Sequence, residues 1–326
     1  DKLVDRFNRR INYLRISVTD RCNLRCLYCM PARGMDLLTF DQVLRYEELL
    51  RIARLAVAGG ITKVRITGGE PLVRKGLVEF VSQLSDIEGI SDLSLTTNGM
   101  FLADFAKILY NAGLRRVNVS LDSLRPDRYE QMTRKGSLER VMAGIRTARE
   151  VGLDPMKINV VVIRDYNHDE IADFAALTRE ENLHVRFIEF MPMGEGGFWS
   201  REKYVPSEEV KALVEADVKL VAVETVSGGP AEMYRLSGGK GLIGFISPIS
   251  RHFCRSCDRL RITADGKMRT CLYSDEEIDL KTPLRDGVSD EELFRLLHQG
   301  TRIKPEGHTL DSSPNGTDRH MYQIGG

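Results

Sequence analysis

The chain has 326 residues, of which 42% are hydrophobic and 29% charged, a composition typical of a globular protein with a substantial core. Its 47 Lys and Arg residues balance 47 Asp and Glu residues, so no overall field favours DNA, RNA or an anionic membrane, and we expect no nucleic acid partner. No apolar run approaches the length of a membrane span, and the start DKLVDRFNRR lacks a signal-peptide core. We therefore expect no membrane association.

From residue 11 to about residue 195, β-rich runs alternate six times with amphipathic helical segments. The predicted strands are Tyr13–Val18, Lys63–Thr67, Leu93–Thr97, Arg116–Leu121, Met156–Ile163 and His184–Phe190. The predicted helices are YEELLRIARLAVAGG, LVEFVSQLSDIEG, LADFAKILYNAG, LERVMAGIRTAREVG and DEIADFAALTREEN. Such alternation predicts parallel strands joined by right-handed crossovers, in either an open doubly wound sheet or a partial (β/α) barrel.

One face of the predicted strands is polar, which favours the barrel. Side chains two residues apart share a face of a strand. The polar face comprises Arg15 and Ser17, Arg65 and Thr67, Asn118 and Ser120, Lys157 and Asn159, and Arg186. A sheet covered by helices on both sides should be apolar on both faces, and solvent-facing edge strands would explain only two of the six. We predict a partial (β/α)6 barrel of the TIM type whose concave interior binds an anionic ligand.

After about residue 220 the sequence becomes rich in glycine and the predicted strands become short. RLRITADGKMRTC is typical of a hairpin that turns at Asp265–Gly266, and DEELFRLLHQG predicts one more helix. We therefore divide the chain into a barrel of residues 1–220 and a smaller C-terminal region of residues 221–326. This second region is expected to cover the open side of the barrel.

The six cysteines form two triplets. The first is Cys22, Cys26 and Cys29, directly after the first strand, and the second is Cys254, Cys257 and Cys271. The carboxyl end of a parallel strand, where the first triplet lies, is where β/α folds place their active sites. Three thiolates leave one iron of a four-iron cluster open, whereas a closed zinc or iron–sulfur site takes four protein ligands. Thiols arranged as metal ligands also suit a reducing compartment, so we expect a cytoplasmic protein.

A zinc site is the main alternative for both triplets. No His or further Cys lies near the first triplet, which argues against zinc there. His252 could complete a Cys3His site with the second triplet, although it is only two residues from Cys254 and the chain would have to fold back. Arg259 and Arg261, on one face of a strand, favour instead an anionic substrate at an open iron. A zinc-stabilised binding module or an electron carrier remains an alternative function.

The segments CNLRCLYCMP, from Cys22 to Pro31, and ITGGEP, from Ile66 to Pro71, resemble the radical S-adenosylmethionine (SAM) superfamily. The resemblance implies that the first triplet ligates a [4Fe–4S] cluster whose open iron chelates SAM. Reduction of such a cluster cleaves SAM to methionine and a 5′-deoxyadenosyl radical. The same resemblance implies a SAM site lined by Tyr28, Gly69, Ser120 and Met191.

The second triplet with its R-x-R segment resembles more narrowly the GTP 3′,8-cyclase family of molybdenum cofactor biosynthesis. LTTNG, RRVNVSLD, VRFIEFMPMG and the terminal Gly-Gly also match, so the resemblance extends over essentially the whole chain. It implies a second [4Fe–4S] cluster that binds the guanine ring of GTP. The GTP contacts that it implies are Arg15, Arg65, Thr96, Lys157, Arg259, Leu260 and Arg261. We add Arg186 from its position on the sixth strand.

The family resemblance also implies a reaction and its partners. A deoxyadenosyl radical removes hydrogen from C3′ of GTP, and the ribose radical attacks C8 to give 3′,8-cyclo-7,8-dihydro-GTP, a lyase reaction. The catalytic residues would be Arg15, Arg259, Arg261, and the Gly325–Gly326 tail that enters the active site. An electron donor, a downstream enzyme that converts the cyclised nucleotide, and a homodimer are expected. A peptide-modifying radical SAM enzyme with an auxiliary cluster is the other alternative.

Overall fold

The computed structural model describes residues 2–194, 198–216, 218–224, 229–308 and 317–325. The strands are β1 (Tyr13–Ser17), β2 (Lys63–Thr67), β3 (Asp92–Thr97), β4 (Arg116–Ser120), β5 (Met156–Val162), β6 (Leu183–Glu189), β7 (Leu220–Ala222), β8 (Ala231–Leu236), β9 (Leu242–Ile246), β10 (Arg259–Ile262), β11 (Lys267–Arg269) and β12 (Glu277–Asp279). The α-helices are α1 (Tyr46–Ala58), α2 (Leu77–Ser85), α3 (Leu102–Asn111), α4 (Pro126–Thr133), α5 (Leu138–Glu150), α6 (Ile171–Glu180), α7 (Ser207–Glu215), α8 (Lys281–Arg285), α9 (Asp290–Arg302) and α10 (Met321–Ile324). Short 3₁₀ turns cover Pro71–Val73, His168–Glu170, Arg201–Lys203 and Cys254–Ser256.

The described strands form one mixed sheet in the order β12-β11-β10-β1-β2-β3-β4-β5-β6-β9-β8-β7. Strands β1 to β6 are parallel and adjacent in chain order, as right-handed β/α crossovers produce. Strand β10 extends this parallel array beyond β1, and β9 extends it beyond β6. The outer strands β11, β12, β8 and β7 pair antiparallel.

The six predicted strands are confirmed to within one residue at each end, and the predicted hairpin is confirmed as β10–β11. In β1, Leu14 and Ile16 belong to the main hydrophobic cluster, while Arg15 and Ser17 are buried on the opposite face. Because both faces are covered, the polar residues of this face lie in an interior and not at the solvent. The interior of the sheet therefore contains cations.

The C-terminal region continues the sheet of the barrel at both edges. Strand β9 pairs with β6 and β10 with β1, while α9 packs against α1 and the β11–β12 hairpin. The division at residues 220 and 221 therefore crosses one continuous sheet, and it stays a prediction. None of the helices in the described ranges combines the length and the apolarity that a bilayer crossing requires.

Candidate active site

A cavity of about 420 Å³ lies on the polar face of the parallel strands. Its walls include all six cysteines and most of the predicted SAM and GTP contacts. The predicted site residues that line it are Arg15, Cys22, Cys26, Tyr28, Cys29, Arg65, Gly69, Thr96, Ser120, Lys157, Arg186, Met191, Cys254, Cys257, Arg259, Arg261 and Cys271. The side chain of Leu260 instead packs in the main hydrophobic cluster, so only its backbone is available to a ligand. Gly326 lies outside the described residues.

The loop of the first triplet is fixed by the turn that follows β2. The N–H of Gly69 donates to the carbonyl of Thr19 (2.7 Å), and the N–H of Glu70 donates to the carbonyl of Arg21 (2.8 Å). A Cβ on Gly69 would lie 2.4 Å from the Arg21 carbonyl oxygen, so a larger residue cannot occupy this position. An ammonium group only donates hydrogen bonds, so Gly69 can accept from one only through its carbonyl oxygen.

The first three cysteines are half-buried, and the sulfurs of Cys22 and Cys29 have polar donors. Burial is the main cause that raises the pKa of Cys22 to about 11 and that of Cys29 to about 12. The N–H of Leu24 donates to the Cys22 sulfur at 3.4 Å, with the Asn98 amide nitrogen at 3.8 Å, and the N–H of Tyr322 donates to the Cys29 sulfur. Thiolates at this depth need a cationic partner, and donors to ligand sulfurs are usual around iron–sulfur clusters. These residues therefore fit a cluster.

The predicted SAM residues surround this triplet at the strand ends. Ser120 ends β4, and Met191 follows β6. The Tyr28 hydroxyl donates to a carboxylate oxygen of Asp122 at 2.6 Å, and burial raises the pKa of Asp122 to about 6. The four predicted SAM residues, Tyr28, Gly69, Ser120 and Met191, all line the same cavity.

The cavity also contains a group of cations, here called the cation cluster: Arg15, Arg65, Arg186 and Arg261, which are buried, and Lys157, which is half-buried. The strand register explains it, since Arg15 lies beside Arg261 on one side and beside Arg65 on the other. Burial first, and then the neighbouring cations, lower the pKa of Arg186 to about 9, that of Arg261 to about 10 and that of Lys157 to about 7. A bound polyanion would offset this repulsion.

Polar groups between the cations also indicate a ligand. With its amide oxygen turned toward the two guanidinium groups, Asn118 accepts from Arg65 (2.6 Å) and Arg186 (3.0 Å). The buried hydroxyls of Thr96 and Tyr13 have no hydrogen-bond partner within the described ranges of the chain. Buried hydroxyls in native proteins are normally hydrogen-bonded, so these two are available to a polar molecule in the cavity.

The second triplet is held by the β10–β11 hairpin. Cys254 begins a 3₁₀ turn, Cys257 precedes β10, and Cys271 follows β11. Burial acts to raise the pKa of the Cys257 thiol, but the charges of Lys304 and Arg259 and hydrogen bonds from both residues outweigh it and lower that pKa. A thiolate at Cys257 is the form that an iron ligand needs.

The geometric objection to a histidine ligand beside this triplet is wrong. Ligand atoms of His252, Cys254 and His308 all lie within 4.8 Å of one another. His252 Nδ1 lies 2.6 Å from His308 Nε2, and the latter lies 2.6 Å from the Pro248 carbonyl oxygen. The sequence alone gave no means of placing His308, 54 residues after Cys254, beside that thiol. This group excludes Cys257 and Cys271, so it differs from the Cys3His site considered above.

The C-terminal helix α10 brings the tail into the site. The carbonyl oxygen of Gly325 accepts from Arg15 (3.5 Å) and Arg261 (3.3 Å), while the N–H of Tyr322 donates to Cys29. Gly325 has φ +82°, and a Cβ there would lie 2.3 Å from Thr67 Oγ1. The short helix therefore contacts residues of both halves of the cavity.

Several residues of the cavity were not predicted from the sequence as site residues. Lys63 lies two positions before Arg65 on the same strand face, so the same periodicity could have found it. Asn98 and Asp122 follow strand ends, but only the folded structure places them against Cys22 and Tyr28.

Comparison with known proteins agrees with this geometry. The family model "Radical SAM superfamily" matches residues 16–178, and "Molybdenum Cofactor Synthesis C" matches residues 183–310. The GTP 3′,8-cyclase of Thermodesulfovibrio yellowstonii is 50% identical over 324 residues, which cover 99% of each chain. That of Moorella thermoacetica is 51% identical over 323 residues, again covering 99% of each chain. This chain belongs to the GTP 3′,8-cyclase family.

Members of the GTP 3′,8-cyclase family are radical SAM proteins, and a solved radical SAM structure shares the fold. The crystal structure of Streptococcus suis SuiB bound to S-adenosylmethionine aligns with a TM-score of 0.60 over 97% of this chain and 78% of that chain. At 14% identity the likeness concerns the fold alone, and it confirms the predicted partial (β/α) barrel.

Proposed function

We propose that this chain is a radical SAM GTP 3′,8-cyclase that catalyses the first step of molybdenum cofactor biosynthesis. The observation that carries the proposal is a single cavity that holds two cysteine triplets together with the cation cluster. When bound, a reduced [4Fe–4S] cluster supplies electrons that cleave SAM to a 5′-deoxyadenosyl radical, which removes hydrogen from C3′ of GTP before C3′ bonds to C8. The cyclised nucleotide radical would then take up one electron from the external donor and one proton to give 3′,8-cyclo-7,8-dihydro-GTP.

Cys22, Cys26 and Cys29 are the proposed ligands of the first cluster. Tyr28, Gly69, Ser120 and Met191 are the proposed SAM contacts, and all of them line the cavity beside these cysteines. The carbonyl of Gly69 is the group that would accept from the SAM ammonium, because a backbone N–H donates and cannot accept a hydrogen bond. Holding SAM and substrate in one cavity also brings the primary radical close to the atom that it attacks.

The cation cluster is the proposed triphosphate site. Guanidinium and ammonium groups bind phosphate oxygens through charge-assisted hydrogen bonds, and the free hydroxyl of Thr96 adds one donor. A nucleoside triphosphate fits these residues because its negative charge offsets the mutual repulsion that depresses the pKa of Lys157. Cys254, Cys257 and Cys271 are the proposed ligands of the second cluster, with Arg259 and Arg261 beside them.

The Gly325 carbonyl holds Arg15 and Arg261 in the described conformation. We propose that this contact orients the two guanidinium groups toward GTP. Arg259 and Arg261 position the substrate and stabilise charge that develops on the purine during cyclisation.

The decisive experiment is anaerobic turnover of the reconstituted full chain with SAM, a reductant and GTP deuterated at C3′. Deuterium in the 5′-deoxyadenosine product would support the radical, the substrate and the attacked carbon together. Unlabelled deoxyadenosine that forms equally well without GTP would contradict GTP as substrate. No deoxyadenosine from an iron-replete sample would contradict the enzyme itself.

The group of His252, Cys254 and His308 favours zinc binding as a second candidate. About eight irons per chain after anaerobic reconstitution would support two clusters, whereas stoichiometric zinc would favour the binding module. A peptide-modifying radical SAM enzyme is not favoured, because the full-length relatives are named GTP 3′,8-cyclases and a peptide needs no buried cation cluster.

We also propose the partners that this reaction requires. An external one-electron donor must reduce the first cluster, and an enzyme that accepts the cyclised nucleotide must act next. All six cysteines are free thiols, which supports a reducing, cytoplasmic location. A homodimer is proposed from the family resemblance, and sedimentation of the reconstituted protein tests it.

A further inference from the structure

Lys304 is a buried lysine that contacts the proposed second cluster site and has no role assigned above. It follows α9 and is 2% exposed. Its ammonium donates to the carbonyl oxygens of Arg259 (2.9 Å) and Thr270 (2.5 Å), and it also donates to the sulfur of Cys257. An ammonium has three N–H donors, and these three acceptors use all of them.

The three acceptors belong to the two arms of the second triplet. Arg259 lies two residues after Cys257, and Thr270 directly precedes Cys271. Lys304 therefore ties the segment that carries Cys257 to the segment that carries Cys271. The β10–β11 pairing and the 3₁₀ turn at Cys254 do not link the Cys257 segment to the Cys271 segment next to the sulfurs.

The charge of Lys304 also needs an explanation. A buried ammonium is costly unless an anion compensates it, and two of its three partners are neutral carbonyls. The third is a cysteine sulfur, which is anionic when it ligates iron. A cluster held by three thiolates carries net negative charge, and it becomes more negative on reduction.

We propose that Lys304 is the positioning residue of the second cluster, which holds the Cys257 and Cys271 arms at cluster spacing and raises the cluster's reduction potential. The proposal rests on the second cluster of the proposed function. A cation and N–H donor at a ligand sulfur stabilise the reduced, more negative state, which is how outer contacts tune a cluster.

Arg9 provides a matched control in the same region. It is also a buried cation, and it donates to the carbonyl oxygens of Cys254 (2.6 Å), Pro305 (2.5 Å) and Glu306 (3.0 Å). Its other described contacts are with the Asp5 carboxylate and the Phe7 ring, and none of its described contacts is with a cysteine sulfur. Loss of Arg9 should weaken the packing of the region without removing a donor from the cluster.

The experiment compares wild type, Lys304→Gln, Lys304→Met and Arg9→Gln as full chains reconstituted anaerobically. Iron and sulfide content and potentiometric titration followed by electron paramagnetic resonance are measured, independently of turnover. In Lys304→Gln, whose amide keeps N–H donors but no charge, we expect the potential of the second cluster alone to become more negative. In Lys304→Met we expect the same shift or loss of that cluster, about half of the iron. Arg9→Gln should retain the wild-type potentials.

The outcomes separate this proposal from the proposed function. Wild type with a single cluster would overturn the function and with it this inference. Wild type with two clusters, but unchanged potentials in both Lys304 variants, would overturn the role of Lys304 alone. Lys304 variants that lose both clusters together would also overturn it, since the residue would then serve the fold in general. A more negative potential of the second cluster alone in either variant, or selective loss of that cluster in Lys304→Met, supports it, whereas a more positive potential would overturn it.

Discussion

At the scale of single residues, the cation cluster has its main functional consequence at Lys157. Burial and the charges of Arg186, Arg116 and Arg65 lower the pKa of its ammonium to about 7. In the ligand-free protein this lysine therefore loses its proton as the pH rises through about 7. A bound triphosphate stabilises the charged form and returns the pKa toward its ordinary value.

This linkage predicts that GTP binding takes up a proton above pH 7. At pH 8 the free protein holds Lys157 mostly neutral, so binding should take up about one proton at this residue. Calorimetric titration in buffers of different ionisation enthalpy measures the uptake. Lys157→Met should abolish most of it and weaken binding, whereas Lys240→Met, a change at a lysine with 64% exposure, should leave both as in wild type. Equal uptake in wild type and Lys157→Met would contradict the placement of Lys157 at the triphosphate.

At the scale of elements, the sequence predicts the parallel strands well because each strand carries two signals. Apolar residues mark the face that packs on helices, and cations or amides mark the face of the cavity, so β1 to β6 were placed to within one residue. Helices α4, α7, α8 and α10 were missed. Helix α4 precedes α5 in the connection from β4 to β5, where only one helix was expected. Its sequence, which includes Pro126 and Arg128, has no clear apolar stripe.

Prediction of the candidate site from the sequence is limited by contacts between residues that lie far apart in the chain. The cysteine triplets were visible because their spacing is local, and Arg15 and Arg65 because they repeat at equivalent positions of successive strands. Lys304 and His308 lie in a polar segment after α9, and nothing in their neighbours predicts burial against Cys257 or Cys254. Only tertiary packing of the segment after α9 brings Lys304 to Cys257 and His308 to Cys254.

Helix α10 leads to a prediction about the tail. Gly325→Ala should reduce formation of the cyclised product by about tenfold or more, while both clusters are retained. The added Cβ would collide with Thr67 Oγ1, and the carbonyl that contacts Arg15 and Arg261 would move. Product formation and iron content are the measurements. Gly287→Ala is the matched control, because Gly287 has φ +79° but nothing within 4 Å of its Cβ position.

Three outcomes for Gly325→Ala lead to different conclusions. If Gly325→Ala and Gly287→Ala behave alike, left-handed backbone strain explains the effect and the tail does not act on the two arginines. If only Gly325→Ala loses product, the collision at Thr67 and the displaced carbonyl explain it. Loss of iron in Gly325→Ala would indicate instead that α10 mainly supports Cys29 through the Tyr322 N–H.

At the scale of the whole molecule, one continuous sheet joins the two cysteine triplets. The first triplet follows β1, and the second surrounds β10–β11, whose first strand pairs with β1. Two family models divide the chain near residue 180, yet β5 pairs with β6 across that division, and β1 pairs with β10. Both halves therefore contribute walls to one cavity, and neither half contains a complete site.

This shared cavity predicts different losses when either triplet is broken. Cys22→Ala should abolish SAM cleavage, because the first cluster is the proposed source of electrons for it. Cys271→Ala should retain part of the SAM cleavage but form no cyclised product, because the substrate loses the open iron that is proposed to bind its base. Deoxyadenosine and product are quantified together by mass spectrometry, with iron content as the check on each variant. Product formed by Cys271→Ala at the wild-type rate would show that the cation cluster alone positions GTP, and it would leave the second triplet with a structural role.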